Sequence, residues 1–363
     1  MSGFIPQQED AFSPQQAMQL IARSGEKKAK MRLDKFFYNS VLAGALLGFG
    51  CAAALIAGDA PWYTENAPGV IHVLAGAVFP IGLIMIALTG SELWTSTIFV
   101  GLTPSAFRLV LRSRRRKRER KPKKLQGTNE RAGLLIPISI LICDLAQYTG
   151  VAFFERRVTI LHLAKTWTVA YLGNLGGILF FMYVICIYGN VFSSESSQAH
   201  TVSYAIGKAQ TPGWHNIFCS AIGANWLVCL AVYQGIIARE VSSKIIAIWW
   251  PIFIFVTLGM NHVIANMFLV PVGMYYGAPF GVGYYIWKSM IPAALGNIVG
   301  GFGFVGVSYW YMWMTANEAV DANFDTTHVL KYSSAEREKL PYDESPGSSG
   351  RHNDYHIEQI MGA

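Results

Sequence analysis

The chain has 363 residues, of which 52% are hydrophobic and only 14% are charged. This composition argues against an ordinary soluble domain, whose surface needs a larger share of charged side chains. The formal net charge is +7, but residues 108–131 alone hold twelve Lys or Arg and two Glu, so this segment carries +10 and the rest of the chain carries −3. A basic character confined to one segment does not indicate a general nucleic-acid-binding surface.

Six apolar runs follow one another along the chain, at about 36–58, 68–89, 165–189, 214–237, 245–268 and 290–314. A helix needs roughly 20 residues to cross a bilayer core of about 30 Å, and these runs have that length. Runs of this length predict an all-α membrane protein rather than a barrel, because each helix satisfies its own backbone in lipid. A seventh run, 132–154, contains Asp144 and Gln147, and we do not count it as a span.

The distribution of Lys and Arg predicts six spans with both termini in the cytoplasm. Six of these residues lie between positions 23 and 35, the loop 58–69 has none, residues 108–131 are strongly basic, and the loop 190–213 contains only Lys208. We therefore divide the chain into a cytoplasmic N-terminal segment 1–35, a transmembrane domain 36–315 and a polar tail 316–363. The tail is rich in Gly and Ser and is predicted to be disordered in the cytoplasm.

The two halves of the transmembrane domain share a short motif. Leu-Gly-Asn followed by paired glycines occurs at 172–177 and again at 295–301, each time in the third helix of a three-helix half. Small residues let helices pack closely. Because each half has an odd number of spans, the motif predicts two inverted repeats.

The second helix of each half is interrupted by polar residues and glycine. The stretch "LTGSELWTST" (88–97) brings Glu92 and Thr95 to membrane depth, and "VTLGMNHVIANMFLV" (256–270) brings His262 and Asn266 there. Interruptions in matching spans predict that helices two and five are broken and line a cavity, although such residues also hold helices together in some proteins. We expect Asn266 to satisfy the freed backbone and Glu92 to fix the loop around Thr95.

Five sequence blocks, in order, resemble the formate/nitrite transporter family between Phe36 and Trp313: "SELWTST", "LAKTW…YLGNLGG", "ANWLVCLAVY", "NHVIANMF" and "LGNIVGGFGFVGVSYW". The resemblance implies a homopentamer of six-helix protomers with an aquaporin-like fold and one pore in each protomer. It also implies a cargo of small monovalent weak-acid anions such as formate, nitrite or lactate, or of the neutral acids.

The resemblance also assigns residues. The central pore histidine corresponds to His262, the threonine of the first loop to Thr95, the lysine near the pore wall to Lys165, and the paired asparagines to Asn174 and Asn297, with Asn266 beside them. The constrictions correspond to Phe79, Leu83 and Phe255 as apolar slits, and to Leu93 and Trp94 at the cytoplasmic constriction. Thr95 and the asparagines are expected to offer hydrogen bonds to the anion, and Lys165 to attract it.

The chain departs from the family pattern in two places. Asn261 stands where relatives commonly have an acid, so no carboxylate stabilises a charged imidazole and we expect His262 to rest in its neutral form. Residues 98–147 form an insertion with a basic part and an apolar part. We interpret it as a retained intron of the gene model rather than as a cytoplasmic loop with an interfacial helix.

The function predicted is therefore transport of nitrite or formate across the plasma membrane, with nitrite favoured by likeness to the fungal branch and its role in nitrate assimilation. The alternatives are a formate/lactate-type monocarboxylate–proton symporter and an aquaporin-like channel for neutral solutes. His262 would either give a proton to the anion or donate a hydrogen bond while neutral. The expected partners are the anions, protons, the lipid bilayer and further copies of the chain. We expect no enzyme activity, cofactor, metal or nucleic acid, because the corresponding motifs are missing.

Overall fold

The computed structural model describes residues 11–95 and 159–315. The insertion 98–147 and the tail 316–363 lie outside the described residues. Within the described ranges the chain is helical, with one isolated bridge between Ala11 and Ala238. The prediction of an all-α protein with several apolar helices is confirmed.

The first described part contains five helices, α1 Pro14–Ala29, α2 Leu33–Gly58, α3 Pro61–Asn66, α4 Pro68–Val78 and α5 Ile81–Thr89. Helix α1 begins with a capping box, in which the Ser13 hydroxyl accepts from the Gln16 backbone and the Gln16 side chain accepts from the Ser13 backbone. Its buried face packs with the helices that contain Tyr233 and Trp310. Helices α4 and α5 follow each other closely and together form an apolar stretch of 22 residues.

The second described part contains α6 Ile160–Phe180 with a π-helical continuation Phe181–Tyr188, α7 Glu195–Ala209, α8 Trp214–Ile237, α9 Val241–Thr257, α10 Val263–Tyr275 and α11 Val282–Met314. Helix α11 includes π-helical segments at Ile286–Met290 and Val299–Val307. The final helix therefore begins at Val282, eight residues before the predicted run, because the preceding Gly-containing turn ends there.

Five stretches in the described residues are long and apolar enough to cross a membrane: Leu33–Gly58, Pro68–Thr89, Ala164–Tyr188, Trp214–Ile237 and Val282–Met314. The apolar run predicted at 245–268 is divided between two shorter helices, α9 and α10. At 1.5 Å per residue these measure about 26 Å and about 20 Å, so neither alone spans a core of about 30 Å.

Glycines allow two helix pairs to touch backbone to backbone. A Cβ on Gly177 of α6 would collide with the Val41 carbonyl of α2, and a Cβ on Gly300 of α11 would collide with the Ile222 carbonyl of α8. The same type of contact therefore joins the first and last helices of each half. Helix α10 is almost entirely buried and packs against α7, α2 and α6.

Candidate functional site

Two loops of the same form follow α5 and α9. Gly90 and Gly259 have φ values of 70° and 66°, a left-handed conformation that glycine adopts without steric cost. Immediately after them, the Ser91 amide donates to the Ile86 carbonyl at 3.1 Å and the Met260 amide donates to the Phe255 carbonyl at 3.1 Å. Each glycine thus ends a helix and turns the chain into a short irregular segment that leads to Thr95 or to His262.

Asn174 fixes the first loop. Its side-chain oxygen accepts from the Trp94 amide at 2.7 Å, and its Nδ2 donates to the carbonyls of Ser40 at 2.7 Å and Glu92 at 2.9 Å. The side chain is fully buried. These bonds replace the helical partners that the loop backbone has lost.

Asn297 makes the same set of bonds in the second loop. Its side-chain oxygen accepts from the Val263 amide at 2.8 Å, and its Nδ2 donates to the carbonyls of Ala221 at 2.8 Å and Asn261 at 3.1 Å. Because both amide hydrogens of Asn174 and of Asn297 are engaged, these asparagines position the loops. The expectation that they offer hydrogen bonds to an anion is not supported by this geometry.

His262 and Thr95 bring the two loops into contact. The His262 Nε2 and the Thr95 Oγ1 are 2.7 Å apart, and both side chains are buried. His262 is also the N-cap of α10, where its Nδ1 accepts from the Ala265 amide at 3.1 Å. An amide can only donate, so Nδ1 carries no hydrogen and the proton of the neutral ring lies on Nε2.

The tautomer determines what the pair can do. Nε2–H donates to the Thr95 oxygen, so the Thr95 hydroxyl hydrogen points elsewhere. In the described part of the chain, His262 is the only side chain bonded to the Thr95 hydroxyl. The hydroxyl hydrogen of Thr95 is therefore available to a passing acceptor. A second proton on the ring would have to displace the Ala265 amide from Nδ1. The loss of this hydrogen bond and the positive end of the α10 dipole both oppose protonation of the ring.

Two phenylalanines, in contact with each other, lie beside the His262–Thr95 pair. The rings of Phe79 and Phe255 meet edge to face with centroids 5.4 Å apart, and Phe255 lies 5.9 Å from the His262 ring. Both phenylalanines and Leu83 are buried. The structure thus brings the predicted slit residue Phe255 to the histidine, with Phe79 next to it.

Trp94 is the neighbour of Thr95 in the chain. Its indole packs edge to face against Tyr171 at 5.1 Å and Trp167 at 6.5 Å, and its neighbour Leu93 is buried. The Thr95 carbonyl accepts from the Cys229 thiol at 3.8 Å, which ties this loop to α8. Leu93 and Trp94 are therefore rigid apolar neighbours of Thr95.

Lys208 of α7 is a site residue that no sequence motif indicated. Its ammonium donates to the carbonyls of Gly259 at 2.7 Å and Met260 at 2.9 Å, and it lines a small cavity together with Phe79, Phe255 and Asn266. Helix α7 is not a membrane-length helix, and burial lowers the pKa of Lys208 to about 8. The sequence did contain a hint of this role. Lys208 is the one Lys or Arg residue in the loop 190–213, and a lone lysine departs from the charge pattern expected for a loop on that side of the membrane.

Lys165 and Glu92 make contacts with the N-terminal helix region. The Lys165 ammonium donates to the Ala29 carbonyl at 3.4 Å, and this bond directs it to the end of α1. The Glu92 carboxylate pairs with the Lys28 ammonium at 2.8 Å, and the Glu92 amide donates to the Asn39 carbonyl at 3.3 Å. Glu92 thus connects the first loop to α1 and α2.

Asn266 does not satisfy the freed loop backbone, so that expectation is wrong. Its Nδ2 donates to the Asn261 oxygen at 3.2 Å and to the Ser289 hydroxyl at 3.3 Å. Asn266 is already inside α10, one turn after the loop, and the loop carbonyls are bonded by other residues: Asn261 by Asn297, and Gly259 and Met260 by Lys208. Its Oδ1 is buried and has no hydrogen-bond partner among the described residues, and Asn266 borders the cavity that contains Lys208.

The chain matches the family model described as "Formate/nitrite transporter" over residues 15–110 and 139–311. The unmatched residues 111–138 lie within the insertion predicted at 98–147. The match covers more than half of the chain and includes every site residue described above.

Curated relatives and a solved structure agree with this match. A "Probable formate transporter" of Methanothermobacter thermautotrophicus is 29% identical over 83% of this chain and 97% of that protein. "Formate-nitrite transporter 3" of Toxoplasma gondii is 30% identical over 94% of this chain and 57% of that longer protein. A solved structure, "Pentameric formate channel with formate bound", superimposes with a TM-score of 0.57 at 25% identity, covering 78% of this chain and 98% of that one.

The helical architecture, the paired loops and these matches lead to one assignment. The chain belongs to the formate/nitrite transporter family, a family of transporters and channels.

Proposed function

We propose that this protein conducts small monovalent weak-acid anions through a pore in each protomer, with nitrite as the first candidate and formate as the second. The observation that supports this most strongly is the contact between His262 Nε2 and Thr95 Oγ1 at 2.7 Å, beside the Phe79–Phe255 slit. The His262 Nε2–H is donated to Thr95, so the hydrogen of the Thr95 hydroxyl is left available next to an apolar constriction. A small anion with a hydrogen-bonding oxygen fits this combination.

The proposed topology has six crossings in two inverted three-helix repeats, in an aquaporin-like arrangement. Helices α9 and α10 would together make the fifth crossing, because their combined length of about 45 Å exceeds the bilayer core. The matching bonds of Asn174 and Asn297, and the matching contacts of Gly177 and Gly300, support the repeat. The second and fifth helices would be the broken ones, each ended by its left-handed glycine.

The proposed pathway explains how an anion avoids the cost of entering an apolar slit. An ion transferred from water to a low-dielectric medium needs replacement dipoles. The Lys208 ammonium would attract the anion towards the phenylalanine slit, and the Thr95 hydroxyl and the amino end of α10 would receive it beyond the slit. Hydrated cations would be rejected by both the slit and the positive dipoles.

His262 would act in this pathway as a neutral hydrogen-bond donor. Its Nδ1 is held by the Ala265 amide, so proton uptake would require the cap of α10 to open. Asn261 provides no carboxylate to stabilise an imidazolium, and its Nδ2 donates instead to the Ser220 hydroxyl at 2.8 Å. The proposal therefore favours conduction past a fixed donor over proton transfer from this histidine.

The proposed assembly is a homopentamer in the plasma membrane with both termini in the cytoplasm. The superimposed formate channel is described as pentameric, which supports the oligomeric state. The distribution of Lys and Arg along the chain supports the orientation.

The test is uptake of labelled nitrite and formate into liposomes that contain the purified full-length protein, measured at a series of pH values. We expect uptake of both anions well above protein-free liposomes, and little passage of glycerol, a small neutral solute. Glycerol passage with no anion uptake would instead favour the aquaporin-like alternative. Accumulation of an anion inside the liposomes above its outside concentration, seen only when a proton gradient is imposed, would favour the symporter.

A further inference from the structure

An apolar groove between α6 and α11 lies apart from the proposed pathway. It has a volume of about 660 Å³. One wall is formed by aromatic and aliphatic side chains at every fourth position of α6 and its continuation, from Tyr171 to Tyr183. The other wall is formed by apolar side chains of α11 between Val282 and Ala294. Helix α10 forms the floor through Pro271, Met274 and Tyr275.

The position of the groove determines the chemistry of its occupant. Both walls belong to helices of membrane length, so the groove lies in the part of the chain that is surrounded by hydrocarbon. Rim residues Tyr183 and Val282 are 51% and 62% exposed, so the groove opens to the outside of the protomer. At one end, Tyr183 and Tyr275 meet edge to face with centroids 6.2 Å apart.

The dimensions favour a chain over a helix. Twelve residues of helix extend about 18 Å, so the volume of about 660 Å³ corresponds to a mean cross-section of roughly 37 Å². A helix with its side chains is about 10 Å across, or roughly 80 Å² in section, and does not fit. An extended alkyl chain does, and its length in the bilayer leaflet is comparable to that of the groove.

One residue connects the groove to the site. Tyr285 lines the groove, is 4% exposed, and its hydroxyl donates to the Asn266 carbonyl at 2.9 Å in the first turn of α10. His262 caps that same turn. In addition, both walls contain π-helical segments at the groove, Phe181–Tyr188 and Ile286–Met290, and such segments occur frequently at functional sites.

We propose that this groove binds an acyl chain of a membrane lipid, and that the bound chain stabilises α10 and its histidine cap through Tyr285. The binding part rests on the membrane location of the helices and holds whichever anion is transported. The coupling part rests on the proposed pore function. The two parts therefore need separate readouts.

Binding is tested with a phospholipid that carries a photoactivatable diazirine in its acyl chain. The full-length protein is reconstituted with this lipid, irradiated and mapped by peptide mass spectrometry. We expect labelling concentrated on the facing groove walls of α6 and α11. Ala294→Phe, which fills the groove, should lower that labelling several-fold, whereas Leu295→Phe, at an exposed neighbour outside the groove, should leave it unchanged.

Two results would overturn the binding proposal. One is labelling that is no stronger in the groove than on exposed apolar residues elsewhere, such as Leu42 and Phe49 of α2. The other is a disulfide between copies formed by Leu179→Cys and absent in the wild type, which would make the groove a subunit interface. The wild-type labelling pattern alone decides the first of these, even if the Ala294 variant fails to fold.

Coupling is tested with Tyr285→Phe, which removes the hydroxyl and keeps the ring. We expect unchanged groove labelling together with a several-fold lower anion uptake in liposomes. Wild-type uptake in this variant would refute the coupling. Wild-type protein without any anion uptake would instead refute the proposed pore function, and the labelling result would still stand.

Discussion

At the scale of single residues, the site depends on which nitrogen of His262 carries the proton. The Ala265 amide occupies Nδ1, so the neutral ring presents Nε2–H to Thr95 and leaves the Thr95 hydroxyl free to donate. A residue that caps a helix and also faces the proposed pore has little freedom to change its charge. This is a physical reason to treat the histidine as a fixed dipole.

Thr95 offers a direct test of the hydroxyl. Thr95→Val keeps the side-chain shape and removes the donor, whereas Thr95→Ser keeps the donor. A hydrogen bond to a charged group contributes about 1.5–3 kcal/mol, so uptake in the valine variant should fall roughly 10- to 100-fold. Initial uptake rates of nitrite and formate in liposomes measure this, and equal rates in the valine and serine variants would contradict a donor role.

Lys208 predicts a pH effect on the side of the membrane that α7 faces. Burial lowers its pKa to about 8, so the ammonium is charged below that pH and loses its charge as the pH rises through it. Anion uptake should therefore decline as the pH on that side passes about 8. Lys208→Gln should be slower and lack this decline, and Lys208→Arg should move the decline to higher pH because arginine stays charged.

Uptake recorded against pH for the three proteins is the measurement. Superimposable profiles for the wild type and the glutamine variant would show that the Lys208 charge does not serve the anion.

At the scale of elements, the two loops are held by the same arrangement of residues. Each consists of a left-handed glycine and an asparagine that bonds three backbone groups of the neighbouring segments. The sequence showed the asparagines and the glycines as a repeated motif. It did not show that their amides face the loop backbone, because that depends on contacts between residues far apart in the chain, such as Asn174 with Trp94.

Asn297→Ala should destabilise the protein strongly. It leaves the Val263 amide and the carbonyls of Ala221 and Asn261 without this partner, at a cost of about 1–3 kcal/mol for each group left bare. Thermal unfolding of the protein in detergent, followed by tryptophan fluorescence, measures the loss. The matched control is Asn225→Ala, since Asn225 is equally buried and its one side-chain hydrogen bond to a described residue is to the Asn297 carbonyl, at 2.7 Å.

The control variant should lose less stability than Asn297→Ala. An equal loss in both would mean that burial of an amide, rather than its bonds to the loop, determines the effect.

At the scale of the whole molecule, apolar length was enough to predict a helical membrane protein, and the sequence blocks were enough to predict the family. Both predictions are confirmed. The position of Lys208 against the second loop was not predictable, because α7 is a polar helix between two long apolar ones and its packing partner is set by the tertiary fold. The predicted role of Lys165 remains a prediction, and its contact with Ala29 directs it to the end of α1.

The unmatched residues 111–138 provide a test of how much of the chain transport requires. This stretch contains most of the basic segment 108–131 and lies outside both the family match and the described residues. Deletion of 111–138 should leave nitrite uptake within about twofold of the full-length chain, since the site residues described above all lie within the matched ranges. If the deleted protein assembles normally and transports nothing, the basic segment is part of the function.

The central claim is that His262 serves anion passage as a neutral donor, and His262→Asn tests it most directly. Asparagine is a good N-cap, so this variant keeps the bond to the Ala265 amide while removing Nε2–H. The measurement is nitrite uptake by the variant and the wild type in liposomes from about pH 5 to about pH 8, the range in which an ordinary histidine titrates. We predict slower uptake in the variant by a factor that stays constant across this range. A ratio that changes roughly tenfold along an imidazole titration curve would contradict the account and assign His262 to proton transfer.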